Sequence, residues 1–227
     1  MNNYIVATIH PWNIEQYQEY SQELPGNWHL ITEKKQLTLE YVEAVQPTYI
    51  FFPHWSWLVP NDIYTKFPCV CFHMTDLPYG RGGSPLQNLI LRGHTTTKLT
   101  ALIMNKTLDG GPILLKEDLD LLGSAEQIFK KLSKQISSAI KKIIISNPSP
   151  KEQEGKVTIF TRRTAEESQI PEGLTAQELY NFIRMLDAPG YPKAFIEQNN
   201  QRIEFSNAQI DNGSVFAQAC FSQTNKE

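Results

Sequence analysis

The chain has 227 residues, a formal net charge of −3 and 20% charged residues. That length holds one ordinary domain, or one with a small appendage, and buries a real core. A mildly acidic balance leaves no basic footprint for a polyanion, so no nucleic-acid partner is expected. Three cysteines, Cys69, Cys71 and Cys220, are too few for a disulfide framework and read as reduced thiols. Cys69-x-Cys71 is read as a strand pair with its thiols on opposite faces, which leaves no joint metal site. Met1-Asn2-Asn3-Tyr4 lacks a basic n-region, and no apolar run is long enough to span a bilayer. A soluble, cytoplasmic protein without a membrane partner is the expectation.

Tyr4–Ile9 is β-branched and reads as a first strand, broken by His10-Pro11-Trp12-Asn13. Ile14–Leu24 reads as a helix, Trp28–Ile31 as a second strand and Leu37–Val45 as a second helix. Tyr49–Phe52 is a third strand, ended by Pro53. This alternation predicts a mostly parallel sheet with covering helices, a Rossmann-like α/β layout. No Gly-x-Gly-x-x-Gly follows the first strand, so the usual phosphate cradle is missing. His54-Trp55-Ser56-Trp57 puts two tryptophans on a loop after a strand. They either tuck against the core, the better reading for Trp57, or wall a flat heteroaromatic ligand.

Asn61–Phe67 is a short helix and Cys69–Phe72 a fourth strand. Ser84 is expected to cap a helix that starts at Pro85 and runs to Gly93. Thr95–Asn105 reads as a strand and Pro112–Leu115 begins another, paired with it through the Asp109-Gly110-Gly111 turn. Ala125–Ile145, capped by Ser124, is amphipathic: Ile128, Leu132, Ile136, Ile140 and Ile143 recur at three-to-four spacing. Val157–Phe160 is a short strand. Thr175 and Glu178 form a capping box for a helix reaching about Asp187. Tyr191–Ile196, Arg202–Ile210 and Val215–Phe221 have β character. Two domains are expected, residues 1–168 and a small helix-plus-strands unit over 169–227.

Cys69–Pro85 carries the densest chemistry. A strand delivers His73 into a loop holding Thr75, Asp76, Leu77, Pro78, Arg81 and the glycines Gly80, Gly82 and Gly83. Asp109 follows His73 by 36 positions, room for a helix and a strand before the chain returns. A histidine oriented by a carboxylate is a proton-transfer pair. Taken alone, His73 could cap a strand end and Asp109 could serve turn chemistry.

His73-x-Thr75-x-Leu77-Pro78-x-x-Arg81-Gly82, followed by Leu108-Asp109-x-Gly111, resembles the formyltransferases that use N10-formyltetrahydrofolate. The likeness is close over Pro68–Leu115 and looser to about Ser168. Phe160–Ser168, with Phe182–Asp187 and Tyr191–Phe195, is similar to the branch that formylates amino sugars carried on nucleotides, and His73–Asn88 resembles in style the enzymes of the pseudaminic-acid side branch. The resemblance implies a Rossmann-like formyltransferase fold with a small C-terminal α+β appendage. It implies formyl transfer from N10-formyltetrahydrofolate to a nucleotide-linked amino sugar for a bacterial surface glycan. It also implies no metal, and a homodimer on the pattern of many relatives.

The residue roles follow the same likeness. His73 moves protons and Asp109 holds its ring. The family asparagine that meets the formyl oxygen is replaced here by Cys71, a weak donor, and Asn105 is the substitute. Trp55, Trp57, Thr75, Asp76, Leu77, Arg81 and Gly82 border the folate. Arg162 and Arg163 either grip a diphosphate or are solvated charges. Arg184 and Tyr191 shape the sugar site or simply pack. The alternatives are a methionyl-tRNA formyltransferase, another formyltransferase, a formyl-folate hydrolase, and a folate- or sugar-binding homologue without catalysis.

Overall fold

The computed structural model describes residues 1–223. They form two compact units. The first gathers Met1–Gly82, Thr97–Leu119 and Lys130–Ile159. The second gathers Gly83–Thr96, Asp120–Phe129 and the residues from Phe160 on.

The first unit is built on a six-stranded sheet. In chain order its early elements are β1 (Asn3–Ala7), α1 (Pro11–Glu23), β2 (Asn27–Ile31), α2 (Leu39–Val45) and β3 (Tyr49–Phe52). There follow α3 (Asn61–Tyr64), β4 (Cys69–His73) and the two-residue β5 (Arg81–Gly82). β6 (Thr96–Ile103) and β7 (Ile113–Asp120) close the sheet after α4 (Pro85–Leu91) of the second unit. The strand order is β2-β1-β3-β4-β6-β7. β1 pairs in parallel with β2 and β3, and β3 with β4, while β4 meets β6 antiparallel. A mostly parallel α/β sheet is therefore what the chain forms. Its parallel strands are covered on both faces, and Ile5, Val6, Ala7, Ile50, Phe51, Phe52, Cys69 and Val70 are buried along continuous apolar runs.

Several local readings need correction. α1 starts at Pro11 rather than Ile14, because proline is suited to a helix's first position, where the missing N–H costs nothing. The strand expected to begin at Pro112–Leu115 does form, as β7, and runs to Asp120 through the polar stretch Lys116-Glu117-Asp118. β7 is an edge strand, and such strands tolerate charge. Its Asp118 meets Lys98 and its Glu117 meets Lys142. Cys69 and Cys71 share a face and pack on the same core cluster, since residues two apart on a strand point one way.

Chain order in the sheet reverses between β2 and β3, on either side of β1. In open sheets that switch point often receives a ligand. Here aromatic side chains pack it. His10 stacks on Trp12 at 4.7 Å and lies 4.0 Å from the ring of His54. His54 holds a left-handed backbone, φ +51°, that costs a bulky residue energy.

The second unit contains α4, the helix α6 (Ala176–Arg184) and a three-stranded antiparallel sheet. Between them in sequence lie α5 (Ala125–Ser146) and the two-residue β8 (Ile159–Phe160). The predicted apolar stripe of α5 is buried from Ile128 through Ile143. The Thr175–Glu178 capping box forms as expected. The sheet is β9 (Ala194–Gln198), β10 (Gln201–Asp211) and β11 (Ser214–Gln223), in the order β11-β10-β9. Ser84 does not cap α4 with its side chain. It adopts φ +48°, and its Oγ accepts from the Arg163 N–H at 3.0 Å instead.

Burial pushes the His54 imidazole pKa down from 6.5 to about 3, with the neighbouring His10 adding to the shift. Burial also lowers His10. The unfolded chain therefore takes up these protons first. The stability tied to neutral His54 is whole above about 6.5 and is lost as pH falls from there toward about 3. Urea unfolding midpoints should fall steeply between pH 7 and pH 4. His54→Asn, which accepts left-handed backbone, should flatten that slope, leaving the part due to His10. An unchanged slope would assign the acid sensitivity elsewhere.

Candidate active site

β4 ends in His73, and the chain at once turns through Thr75, Asp76 and Leu77 to a cis Leu77–Pro78 peptide. Thr75 is fully buried; its backbone carbonyl accepts from the Thr100 hydroxyl at 2.7 Å, and its own hydroxyl donates to the Gly80 carbonyl at 3.3 Å. The same carbonyl accepts from Nε2–H of His73 at 2.7 Å. That bond settles the tautomer: neutral His73 carries its proton on Nε2, and Nδ1 keeps the lone pair.

Asp109 reaches this ring from the β6–β7 connection. Its Oδ2 lies 3.7 Å from His73 Nδ1 and accepts from the Gly82 N–H at 2.8 Å. The two side chains are nearly enclosed, about a tenth exposed each. Asp109 holds φ +50°, a conformation that short Asp and Asn side chains tolerate better than others. Strain of this kind persists only where its surroundings over-determine it. The sequence pair is thus brought together, but the Gly80 carbonyl, rather than Asp109, receives the ring's hydrogen bond.

Three more features hold the Asp109 loop. Asn105 is exposed, and its side-chain carbonyl accepts from the Thr107 N–H at 2.8 Å, an Asx turn. Gly111 must lack a side chain, because a Cβ there would lie 1.7 Å from the Ile103 carbonyl oxygen. Gln153 donates from Nε2 to the carbonyls of Asp109 and Gly111, both at 2.8 Å. Its Oε1 accepts from Arg81 Nε at 3.1 Å and Nη2 at 2.7 Å. Lys116 pairs with Asp76 at 2.5 Å and donates to the Leu77 carbonyl at 2.6 Å. Sequence reading missed Gln153 and Lys116. Nothing in the polar stretch Lys151–Gly155 marks a tertiary contact, and Lys116 shows only as one charge in an alternating run.

Cys71 shares His73's face of β4. Burial first, and then the nearby charge of Asp109, push its thiol up, so it stays protonated. Trp55 packs against the apolar core cluster and meets Phe52 edge-on at 6.1 Å, while Trp57 is a third exposed. Among the described residues no group of His, Cys, Asp and Glu could hold a metal ion.

The remaining candidates lie in the second unit. Arg162 is exposed, and its Cα is 2.7 Å from where a Cβ on Gly83 would stand. Arg163 lies over the Phe182 ring and bonds within its own loop to Glu167. Arg184 is buried and three of its five N–H donors are committed: Nη1 to the carbonyls of Leu121 and Gly123, Nε to Asn181. Tyr191 stacks on Phe129 at 5.2 Å.

Residues 14–147 match the family described as Formyl transferase, more than half of the chain. The chain belongs to the formyl transferase family, enzymes that take the formyl group from N10-formyltetrahydrofolate. Residues 165–222 match a narrower description, Methionyl-tRNA formyltransferase, C-terminal domain. A solved structure, Methionyl-tRNA formyltransferase from Clostridium thermocellum, is 46% identical with a TM-score of 0.96, over 98% of this chain and 100% of that one. The Bacillus subtilis protein named Methionyl-tRNA formyltransferase is 30% identical over 183 residues, 76% of this chain and 57% of its own length. The chain spans half to three-fifths of the length of the curated relatives it matches. A 4-N formyltransferase from Francisella tularensis shares the fold at TM-score 0.69 with 14% identity.

These findings overturn the expected acceptor. A likeness of 12% to a solved sugar N-formyltransferase from Shewanella speaks for fold alone, whereas residues 165–222 match the methionyl-tRNA branch. The nucleotide-linked amino sugar, and the exclusion of nucleic acid, are therefore withdrawn. The exclusion rested on net charge. Net charge averages over the surface, so it does not report a local phosphate-binding face. The expected enzyme class and formyl donor agree with the family.

Gly111→Ala should destabilise the protein by on the order of 3 kcal/mol, because the obstructing atom is backbone and cannot swing aside. Denaturant melts measure this. A variant as stable as the parent would show that the loop relaxes freely.

Proposed function

We propose that this chain transfers the formyl group of N10-formyltetrahydrofolate to methionyl-tRNA, in the cytoplasm. The observation that carries the reading is the 46% identity, across both chains, to a protein named for that activity. The match of residues 165–222 to the C-terminal domain of that branch supports it independently.

The transfer needs three services. A proton must leave the attacking amine, charge building on the formyl oxygen must be met, and the departing folate nitrogen must be protonated. His73 handles the proton. Its Nε2–H is committed to Gly80, so Nδ1 is the nitrogen that accepts it. Asp109, 3.7 Å away, stabilises the cation that results. The turn from Thr75 to Gly82 is suited to a flat co-substrate, since Gly80 and Gly82 have positive φ and present backbone without side chains. Thr75, Asp76, Leu77, Arg81 and Gly82 are its proposed border.

Cys71 remains a thiol and donates weakly, so the formyl oxygen calls for another group. Asn105 is that group in this reading. The bond from the Thr107 N–H anchors its carbonyl end and leaves the NH2 end to donate.

Tetrahydrofolate release should appear with methionyl-tRNA and be absent with uncharged tRNA and with nucleotide-linked amino sugars. Release without any acceptor would convert the reading to a hydrolase, and release with a sugar amine would refute the acceptor.

His73→Ala and Asp109→Ala should each remove most turnover, and the double variant should cost little more than the worse single. Simple multiplication of the two losses would separate the pair. Asn105→Ala should lower kcat by on the order of 10²-fold with donor affinity kept, while Cys71→Ser stays close to the parent. The reverse ranking would give the thiol the role.

A further inference from the structure

We infer that Gln153 is a positioning residue for this site, holding Asp109 at His73 and tying it to Arg81. The inference rests on the reading that His73 and Asp109 carry the transfer. Gln153 is half-buried in a run of exposed residues, the only one of Lys151–Val157 so placed. Its amide is used at both ends. Nε2 has two hydrogens and spends both, on the carbonyls of Asp109 and Gly111 at 2.8 Å each. Oε1 takes two guanidinium hydrogens of Arg81, from Nε and Nη2. Only one orientation of the amide satisfies these four bonds. A flipped amide would set oxygen against two carbonyls and NH2 against a guanidinium.

The consequence reaches the reacting groups by a short path. Asp109 sits at φ +50°, which its own side chain does not enforce. The bond to its carbonyl fixes the peptide on one side of that residue, and the bond to the Gly111 carbonyl fixes the turn beyond it. Its carboxylate can then meet the Gly82 N–H at 2.8 Å and face His73. Arg81 adjoins Gly82, so the same glutamine steadies both strands of the contact. A charged residue in place of Gln153 could not do this, since the amide serves as donor and acceptor at once.

That duality separates the two arms. Gln153→Glu keeps an acceptor for Arg81 and loses both donors. Gln153→Met removes both arms at similar volume. The purified chain of each variant is measured in two ways. Hydrogen exchange at the Gly82 amide reports whether the Asp109 carboxylate still covers it. Steady-state kinetics report kcat and the KM for N10-formyltetrahydrofolate.

Both variants are expected to exchange Gly82 at least tenfold faster. Both should lose at least tenfold in kcat, and for Gln153→Glu the donor KM should stay within threefold of the parent. Melting temperature is followed alongside, because a purely structural residue would lower it without separating kcat from KM. Gln153→Glu with the parent's Gly82 protection and kcat would overturn the inference and leave Gln153 as a prop for Arg81. Lost kcat with unchanged Gly82 protection would also overturn it, by removing Asp109 from the path. Exchange at Gly82 needs no acceptor, so it decides the positioning role even where methionyl-tRNA proves not to be the substrate.

Discussion

The site depends on one carboxylate held out of the ordinary backbone range. Asp109 has φ +50°, and its Oδ2 closes on the Gly82 N–H. Without that posture the β6–β7 connection would pass the end of β4 as an ordinary turn. The surrounding loop supplies what the posture needs. Gly111 gives room beside the Ile103 carbonyl, Asn105 closes the turn behind, and Gln153 ties down two carbonyls. The strain is therefore local and shared among several bonds, none of which is strong alone.

A second constraint acts on His73. A buried imidazole loses hydration and needs a partner for its N–H. Gly80 provides it from within the same loop, seven residues on. The donor and acceptor faces of the ring are thereby divided between two elements. Nε2 is spent on structure, and Nδ1 is left toward the charge of Asp109. The carboxylate stands close enough to favour a charged ring, while the neutral ring is held by the Gly80 carbonyl.

The sequence made the sheet and the pair legible because both are written in short local patterns. Tyr49–Phe52 and Cys69–His73 are apolar runs bounded by proline and by glycine-rich turns, and they form β3 and β4. His73 and Asp109 are rare residue types at a family spacing. What stayed hidden was carried by residues whose roles exist only across the fold. Gln153 is 44 residues from Asp109 and 72 from Arg81, in a loop without periodicity. Ser84 looked like a helix cap by local grammar, yet the Arg163 N–H claims its hydroxyl from 79 residues away. His10 and His54 are separated by α1, β2, α2 and β3, so nothing local announces that their rings meet.

The acceptor failed for a different reason, which bears on how such chains are read. The motif from His73 to Gly82 with Leu108-Asp109-x-Gly111 resembles the formyltransferases as a whole, so it points to the donor and not to the acceptor. The expected sugar acceptor rests instead on the likeness of Phe160–Ser168, Phe182–Asp187 and Tyr191–Phe195, all outside that motif. Among these residues Arg162 is exposed, and Arg163 Nε is buried without a hydrogen-bond partner. Arg184 satisfies two carbonyls and Asn181 inside its own unit, and Arg163 bonds to Glu167 beside the Phe182 ring. A guanidinium already committed to buried carbonyls is expensive to redirect, because the carbonyls would be left unpaired. The Arg184 guanidinium is thus fixed within its own unit. Side chains whose donors are spent on buried carbonyls, as in Arg184, hold the fold, whereas Arg162 keeps its guanidinium exposed.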